Sequence, residues 1–324
     1  MNESWKDSIY RQREELARIL RDPIDAVARQ CIEQWDDRGG LEQILVEGFA
    51  SIPYCAYLYV LDTSGIQLTE SINLSGIAPG HYHRDRSQRP YMKEVVPAWG
   101  FLLSDAYISL YGHRPSLSAL QVIRDGKTVL GYLGADFDLR DLPVTAELYQ
   151  EPETWRQVKG DPAIRSLLFQ QTRSESPMDQ NLEQTFSILE ELLTQRGVFQ
   201  CQIQFASSQA MIWTMEDPFR YRILDHEALT DPDICLVYPL QRYPLGARIP
   251  QASIAAILDH FGSLRLADEN IYLRQASINL LNGMISLTFS CDGTHYMSYD
   301  EFLLKNTSFW FGAVPPQAST YWQN

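Results

Sequence analysis

Ser116-Leu117-Ser118-Ala119-Leu120-Gln121-Val122-Ile123-Arg124-Asp125-Gly126-Lys127-Thr128-Val129-Leu130-Gly131-Tyr132-Leu133-Gly134-Ala135-Asp136-Phe137 decides how the first part of this chain folds. Two apolar runs flank Asp125-Gly126, whose glycine takes positive φ without a steric penalty. Runs and turn together read as an antiparallel hairpin, with strands expected over 116–124 and 127–139. Strand alternation puts Tyr132, Gly134 and Asp136 on one face. Gly134 leaves room beside Asp136, and Ser118 and Ala119 on the neighbouring strand are also small.

Working outward, strands are expected over 54–61 and 66–74 around the turn Asp62-Thr63-Ser64-Gly65, and another over 101–110. Residues 75–88 read as a loop. A short helix is expected over 89–96, with Tyr91, Met92, Val95 and Val96 as its apolar contacts. Ahead of the strands, Trp5, Ile9, Leu16, Ile19 and Leu20 have helical spacing. Asp22-Pro23 reads as an N-cap and first-turn proline restarting a helix, with Ile24, Val27, Cys31, Ile32 and Trp35 as its stripe. Gly39-Gly40 is expected to end it before a third helix over 41–51. The fold class is α+β: helices, then a mostly antiparallel sheet of about five strands.

Residues 140–180 are punctuated by Pro143, Pro152, Pro162 and Pro177, with some helix expected near 162–171. Beyond them come an amphipathic helix over 179–195, strands over 198–205, 210–215 and 234–240, and a helix over 250–261. Strands over 271–281, 284–290 and 294–297 follow, joined at Asn282-Gly283 and Asp292-Gly293. The expected organisation is a first domain over 1–145, a connecting segment over 146–179, and a second α+β domain over 180–324.

The 324 residues are 45% hydrophobic and 11% aromatic, enough for substantial cores. A net charge of −14 argues against a nucleic-acid footprint and against an anionic membrane surface as a partner. The five cysteines lack close spacing and read as reduced core thiols rather than a disulfide framework or zinc site. No apolar run is long enough for a transmembrane helix, and the start has no basic and apolar leader pattern. A soluble, cytoplasmic protein is expected.

Asp85-x-x-x-Arg89-Pro90-Tyr91, then Ser104-Asp105-Ala106-Tyr107, then the Val122–Lys127 hairpin, then Gly131-x-x-Gly134-Ala135-Asp136 recur in an ordered series. That series, with the leading helix and Asp62-x-x-Gly65, resembles the Cache (PDC, extracellular PAS-like) sensor domain over about residues 5–142. The resemblance implies a PAS-like sheet that binds a small molecule such as an amino acid, an amine or a carboxylate. In amino-acid-binding members an Arg and aromatic residues hold the carboxylate, while a later Tyr and an Asp hold the amino group. Arg89, Tyr91, Tyr107 and Asp136 stand at the matching positions. The family usually has Trp where Tyr91 stands, Tyr where Met92 stands, and an upstream Tyr where Arg84 stands. Asp136 is therefore the better match, and a ligand bearing an amino group is the expectation. The resemblance also implies dimers packed through leading helices. The stripe Ile24, Val27, Cys31, Trp35 has two uses open, a dimer contact or packing on its own sheet.

Physical chemistry supports the same choice of residues. A planar guanidinium suits a carboxylate. A carboxylate suits an ammonium, and aromatic faces attract cations. The candidate ligand-binding residues are Arg89, Tyr91, Met92, Asp105, Tyr107, Ser118, Tyr132 and Asp136. Arg89 pairing with Asp85 or Glu94, and Asp136 capping a turn, are the structural alternatives.

No catalytic signature, cofactor fingerprint or convincing metal site is present. His81-Tyr82-His83 is the one close histidine pair, and it reads as polar loop. Asp217, Asp225, Glu227, Asp231 and Asp233 form an acidic stretch that reads as a solvated connection. The expected function is a small-molecule sensor passing its signal by conformational change or dimerisation. The rivals are an enzyme with its active site in the last third or an interdomain cleft, and an adaptor that retains the sensor fold without a ligand.

Overall fold

The opening helix, α1 (Trp5–Gln30), runs unbroken through Pro23, so the expected restart at Asp22-Pro23 does not occur. A proline inside a helix removes one ladder donor and crowds the carbonyl four residues back, costing about 3 kcal/mol or more. Leu16, Leu20, Ile24 and Val27 fall on one stripe and are all essentially buried. Each such side chain contributes roughly 1.5–3 kcal/mol on burial, so the continuous stripe outweighs the kink penalty. The stripe packs on strands of its own sheet, and Cys31 just beyond it is buried too. Trp35 lies over Gly131, where an added Cβ would meet its ring at 2.6 Å. Gly39-Gly40 does not end a helix but opens α2 (Arg38–Phe49), capped by the Asp37 side chain accepting from the Gly39 amide at 3.0 Å.

This computed structural model describes residues 5–94, 96, 100–110, 113–143 and 172–311. The expected helix near 162–171, and Val95 in the expected 89–96 helix, lie outside them. The chain forms two compact units, one of Met1–Pro152 with Pro232–Val237, the other of Glu153–Asp231 with Tyr238–Asn324. Both are α+β with antiparallel sheets.

The first unit holds β1 (Tyr57–Asp62), β2 (Ser71–Asn73), β3 (Gly76–Ala78), α3 (Pro90–Lys93), β4 (Phe101–Leu103), β5 (Tyr107–Ile108), β6 (Pro115–Asp125) and β7 (Thr128–Asp138). The sheet order is β3-β2-β1-β7-β6-β4, with β5 also on β6. The Asp125-Gly126 turn is as expected, Gly126 having φ 56°. Four details differ. The strand expected over 66–74 is reduced to β2, Ser71–Asn73. The 75–88 loop contains the short strand β3. The helix expected over 89–96 is a single turn, α3. The strand expected over 101–110 breaks between β4 and β5, where the Ser104 hydroxyl accepts the Ser118 amide at 3.0 Å. One sheet face (Leu58, Val60, Leu117, Ala119, Leu133, Ala135, Phe137) is wholly buried. The other carries Tyr59, Leu61, Leu120 and the candidate residues.

In the second unit a 3-10 turn (Asp179–Asn181) leads into α4 (Leu182–Gln195), followed by β8 (Val198–Gln204), β9 (Gln209–Thr214), β10 (Tyr221–Leu224) and α5 (His226–Thr230). Then come α6 (Ile254–Leu266), β11 (Leu273–Asn279), β12 (Met284–Phe289), β13 (Thr294–Ser298), α7 (Tyr299–Leu304) and α8 (Thr307–Phe311). The order is β10-β9-β8-β11-β12-β13. Helices α4 and α6 cross closely at Gly262, where an added Cβ would meet Phe186 at 2.9 Å. The strand expected over 234–240 is instead a 3-10 helix, Pro232–Val237, whose residues are all buried in the first unit. An apolar run with no period fits either conformation, and here its burial on several sides favours the compact one.

Cys31, Cys55, Cys201 and Cys235 are buried free thiols, and Cys291 is exposed. Burial pushes the Cys31 and Cys201 thiols up to about 12. Burial, helped by the Asp136 charge, raises Cys55 as well. The thiolate is the reactive form. Titrated with a thiol-reactive disulfide at mildly alkaline pH, the native protein should release one equivalent quickly, from Cys291. The remaining four should react only after denaturation; fast reaction of two or more in the native state would contradict this burial.

Candidate ligand-binding site

Asp136 is the centre of a buried polar network on the second face of the first sheet. Its neighbours across the ladders are Tyr57 on β1 and Ser118 on β6. One carboxylate oxygen accepts the Tyr59 hydroxyl at 2.8 Å and the Ser118 hydroxyl at 2.5 Å. The other accepts from Arg86 Nη1 at 3.3 Å. Each hydroxyl has one proton to donate. Ser118 spends its proton on Asp136, so Tyr107 donates to Ser118 (2.7 Å), while the Tyr59 hydroxyl faces two acceptors, Asp136 and the Tyr91 oxygen at 3.0 Å. Arg86 Nη1 donates in turn to the Tyr91 oxygen at 3.2 Å.

The backbone around the network explains the placement. Gly134 lies directly across from Tyr59, and an added Cβ there would stand 2.3 Å from the Tyr59 ring. The space expected beside Asp136 is thus filled by Tyr59. Asp62 accepts the Ser64 and Ile66 amides, both at 2.8 Å, and Gly65 takes φ 87° to close the turn. Residues 83–86 then run along this turn: Gln67 and His83 exchange backbone bonds with Arg84 and Gln67, and the Arg86 amide reaches the Gly65 carbonyl, all at 2.9 Å. That puts Arg86 beside the buried Gln67, to which its Nε donates at 2.7 Å. Its guanidinium lies 3.7 Å from the Tyr59 ring centre. Burial opposes the Arg86 charge, but Tyr59, Asp136 and Tyr91 outweigh it and hold the group protonated. Burial, reinforced by the Asp136 charge, raises Tyr59, Tyr91 and Tyr107, so all three hydroxyls remain neutral.

Of the expected site residues, Tyr91, Tyr107, Ser118 and Asp136 are joined in this network. Met92 and Tyr132 pack against its apolar base of Tyr59, Leu61, Tyr91 and Leu120. Arg89 caps α3 and is half-buried. Its charge acts on the Tyr107 hydroxyl. Among the described residues no side-chain hydrogen bond or ion pair reaches its guanidinium. Asp105 does not join: its side chain is 80% exposed and pairs with Arg13. Tyr59, Arg86 and Gln67 are network members that sequence reading missed. Tyr59 shares the alternation of its strand, but its place opposite Gly134 depends on a pairing between distant strands. Arg86 sits in a polar run with Arg84, Asp85 and Arg89, and nothing local distinguishes it.

The other polar features have structural roles. Glu70 accepts the His81 and Tyr82 amides at 2.6 and 3.1 Å, anchoring the histidine-containing loop. Asp225 caps α5, Asp217 pairs with Arg220 at 3.8 Å, and Asp233 is buried beside Arg13. Among the described residues no group of three or more His, Cys, Asp or Glu side chains could hold a metal ion. No helix among them is long and apolar enough to cross a membrane.

No family model and no curated protein sequence matches the chain. Solved structures do. The chain is similar to chemoreceptor ligand-binding domains. One is the ligand-binding domain of the Pseudomonas fluorescens chemoreceptor CtaA in complex with L-isoleucine: 17% identity, TM-score 0.31, covering 41% of this chain and 52% of that one. Another is the sensory domain of the Campylobacter jejuni chemoreceptor Tlp3 with isoleucine bound: 14% identity, TM-score 0.34, covering 41% and 55%. A third is an extracellular ligand binding receptor from Desulfohalobium retbaense: 17% identity, TM-score 0.31, covering 42% and 25%. The match spans about half the length of the two chemoreceptor domains.

Proposed function

We propose that the first unit is a sensor domain that binds a small charged organic molecule, of the amino-acid, amine or carboxylate class, at the Asp136 network. The observation that carries this is the placing of opposite charges on one sheet face beside oriented hydroxyls. Asp136 keeps 18% of its side chain exposed, and half-buried Arg89 opens α3 two residues before Tyr91. Asp136 is paired with Arg86, yet its side chain stays partly open to solvent, so the pair presents an edge to a ligand. Binding is passed on through a change of conformation or association, which requires a ligand with different affinities for two states. The buried, unlinked thiols fit a reducing compartment such as the cytoplasm.

A thermal-shift screen of amino acids, amines and carboxylates tests the reading. A ligand at a hundred times its Kd stabilises the folded state by about 2.7 kcal/mol, a readily measured rise in Tm. The rise should vanish in Arg89→Ala and change in size in Asp136→Asn. A screen in which nothing stabilises the protein would sink the proposal, and a hit that survives both substitutions would move the site elsewhere.

A further inference from the structure

Arg86 changes what the site can recognise. Its guanidinium is fixed by three things other than Asp136: the 2.7 Å bond to Gln67, the 3.2 Å bond to the Tyr91 oxygen, and the Tyr59 ring 3.7 Å away. Its side chain is 6% exposed. It is thus a built part of the fold rather than a surface arm resting on a carboxylate. From that position it contacts Asp136 at 3.3 Å. The other Asp136 oxygen already accepts two hydroxyl protons. An incoming ammonium would meet a carboxylate whose charge is balanced and would sit beside a like charge it cannot displace cheaply. An incoming carboxylate meets the opposite situation. Arg86 cancels Asp136, which leaves Arg89, whose amide bonds the Arg86 carbonyl at 2.9 Å and which opens α3 two residues before Tyr91, with no side chain pairing with it among the described residues.

We propose that Arg86 is a specificity-determining residue: by neutralising Asp136 from within the fold, it makes the site select organic anions and reject ligands that carry an ammonium. This rests on the reading of the first unit as a small-molecule site, and it reverses the expectation of an amino-group ligand that Asp136 alone suggests.

Matched ligand sets test it. 4-Methylpentanoate, leucine and 3-methylbutylamine share a carbon skeleton and differ only in charged groups; propionate, alanine and ethylamine form a smaller set. Isothermal titration calorimetry on the full chain should show the carboxylate of one set binding at least tenfold tighter than its amino acid, and the amine not binding. Arg86→Lys keeps the charge and should keep the order. Arg86→Met should shift the order toward the amino acid and amine, with circular dichroism confirming the fold. Tighter binding of leucine or alanine than of the matching carboxylate by the unsubstituted protein would overturn the role given to Arg86 while leaving the site itself in place. Binding of no member of either set would bring down the small-molecule reading and this inference with it. Should Arg86→Met fail to fold, the order measured on the unsubstituted protein and on Arg86→Lys still decides.

Discussion

Asp136→Ala should lower the stability of the first unit by about 3–5 kcal/mol, the usual cost of leaving one member of a buried ion pair alone. Arg86 cannot reach water easily, being 6% exposed, and it would lose its carboxylate partner. Tyr59 and Ser118 would also lose the acceptor of their protons. Amide exchange followed on β6 and β7 peptides would report the loss for this unit alone. Replacing both partners, as Arg86→Met with Asp136→Leu, should cost much less than the two single changes combined, because no charge is then stranded. A loss below about 1 kcal/mol in Asp136→Ala would place the pair with exposed ion pairs, which contribute little.

A second large effect is expected at Arg265 in the other unit. This arginine, in the last turn of α6, is 1% exposed and forks onto Asp179, also 1% exposed, with Nε and Nη2 each 2.8 Å from a carboxylate oxygen. Nη1 donates to the Leu273 carbonyl at 3.0 Å, and the Phe205 and Tyr272 rings flank the group at 5.4 and 5.1 Å. The fork ties the 3-10 turn before α4 to the end of α6 and the start of β11. Arg265→Ala should therefore destabilise the second unit by about 3–5 kcal/mol. Arg265→Lys should recover only part of that, since an ammonium cannot match both oxygens in one plane. Urea unfolding followed on α4 and β11 peptides checks both. Equal stability of the Lys variant and the unsubstituted protein would show that charge alone, and not the fork, holds the turn.

What could be read from the chain tracks how local the determining interaction is. The β6–β7 hairpin was legible because Asp125-Gly126 and the two runs beside it contain their own instructions. The same holds for the turn at Asn282-Gly283, where Gly283 takes φ 74°. Proline at position 23 was misleading: its local preference is to start a helix, yet the buried stripe on either side of it carried the helix through. The candidate site was half legible. Tyr107, Ser118 and Asp136 lie on or beside the hairpin and its alternation. Arg86 and Tyr59 take their places through pairings across the sheet, Tyr59 with Gly134 and residues 83–86 with 65–67. Such register is set by the assembled sheet and is written in no single segment. The short edge strand β10 and the 3-10 helix at Pro232–Val237 escaped for the same reason.

That 3-10 helix has a consequence for how the protein is made. Asp233 accepts from Arg13 at 3.1 Å and from the Ala106 amide at 3.2 Å, so the first unit draws on a segment synthesised about a hundred residues after β7. At a translation rate of about 5–20 residues per second, roughly 5–20 s separate the emergence of β7 from that of its late partner. During that interval the nascent chain can close the β1–β7–β6 ladder and assemble the Asp136 network, while Arg13 has Asp105 and waits for its second carboxylate. A fragment released from the ribosome before residue 232 would carry the Asp136 network and lack the peg that finishes the unit around it.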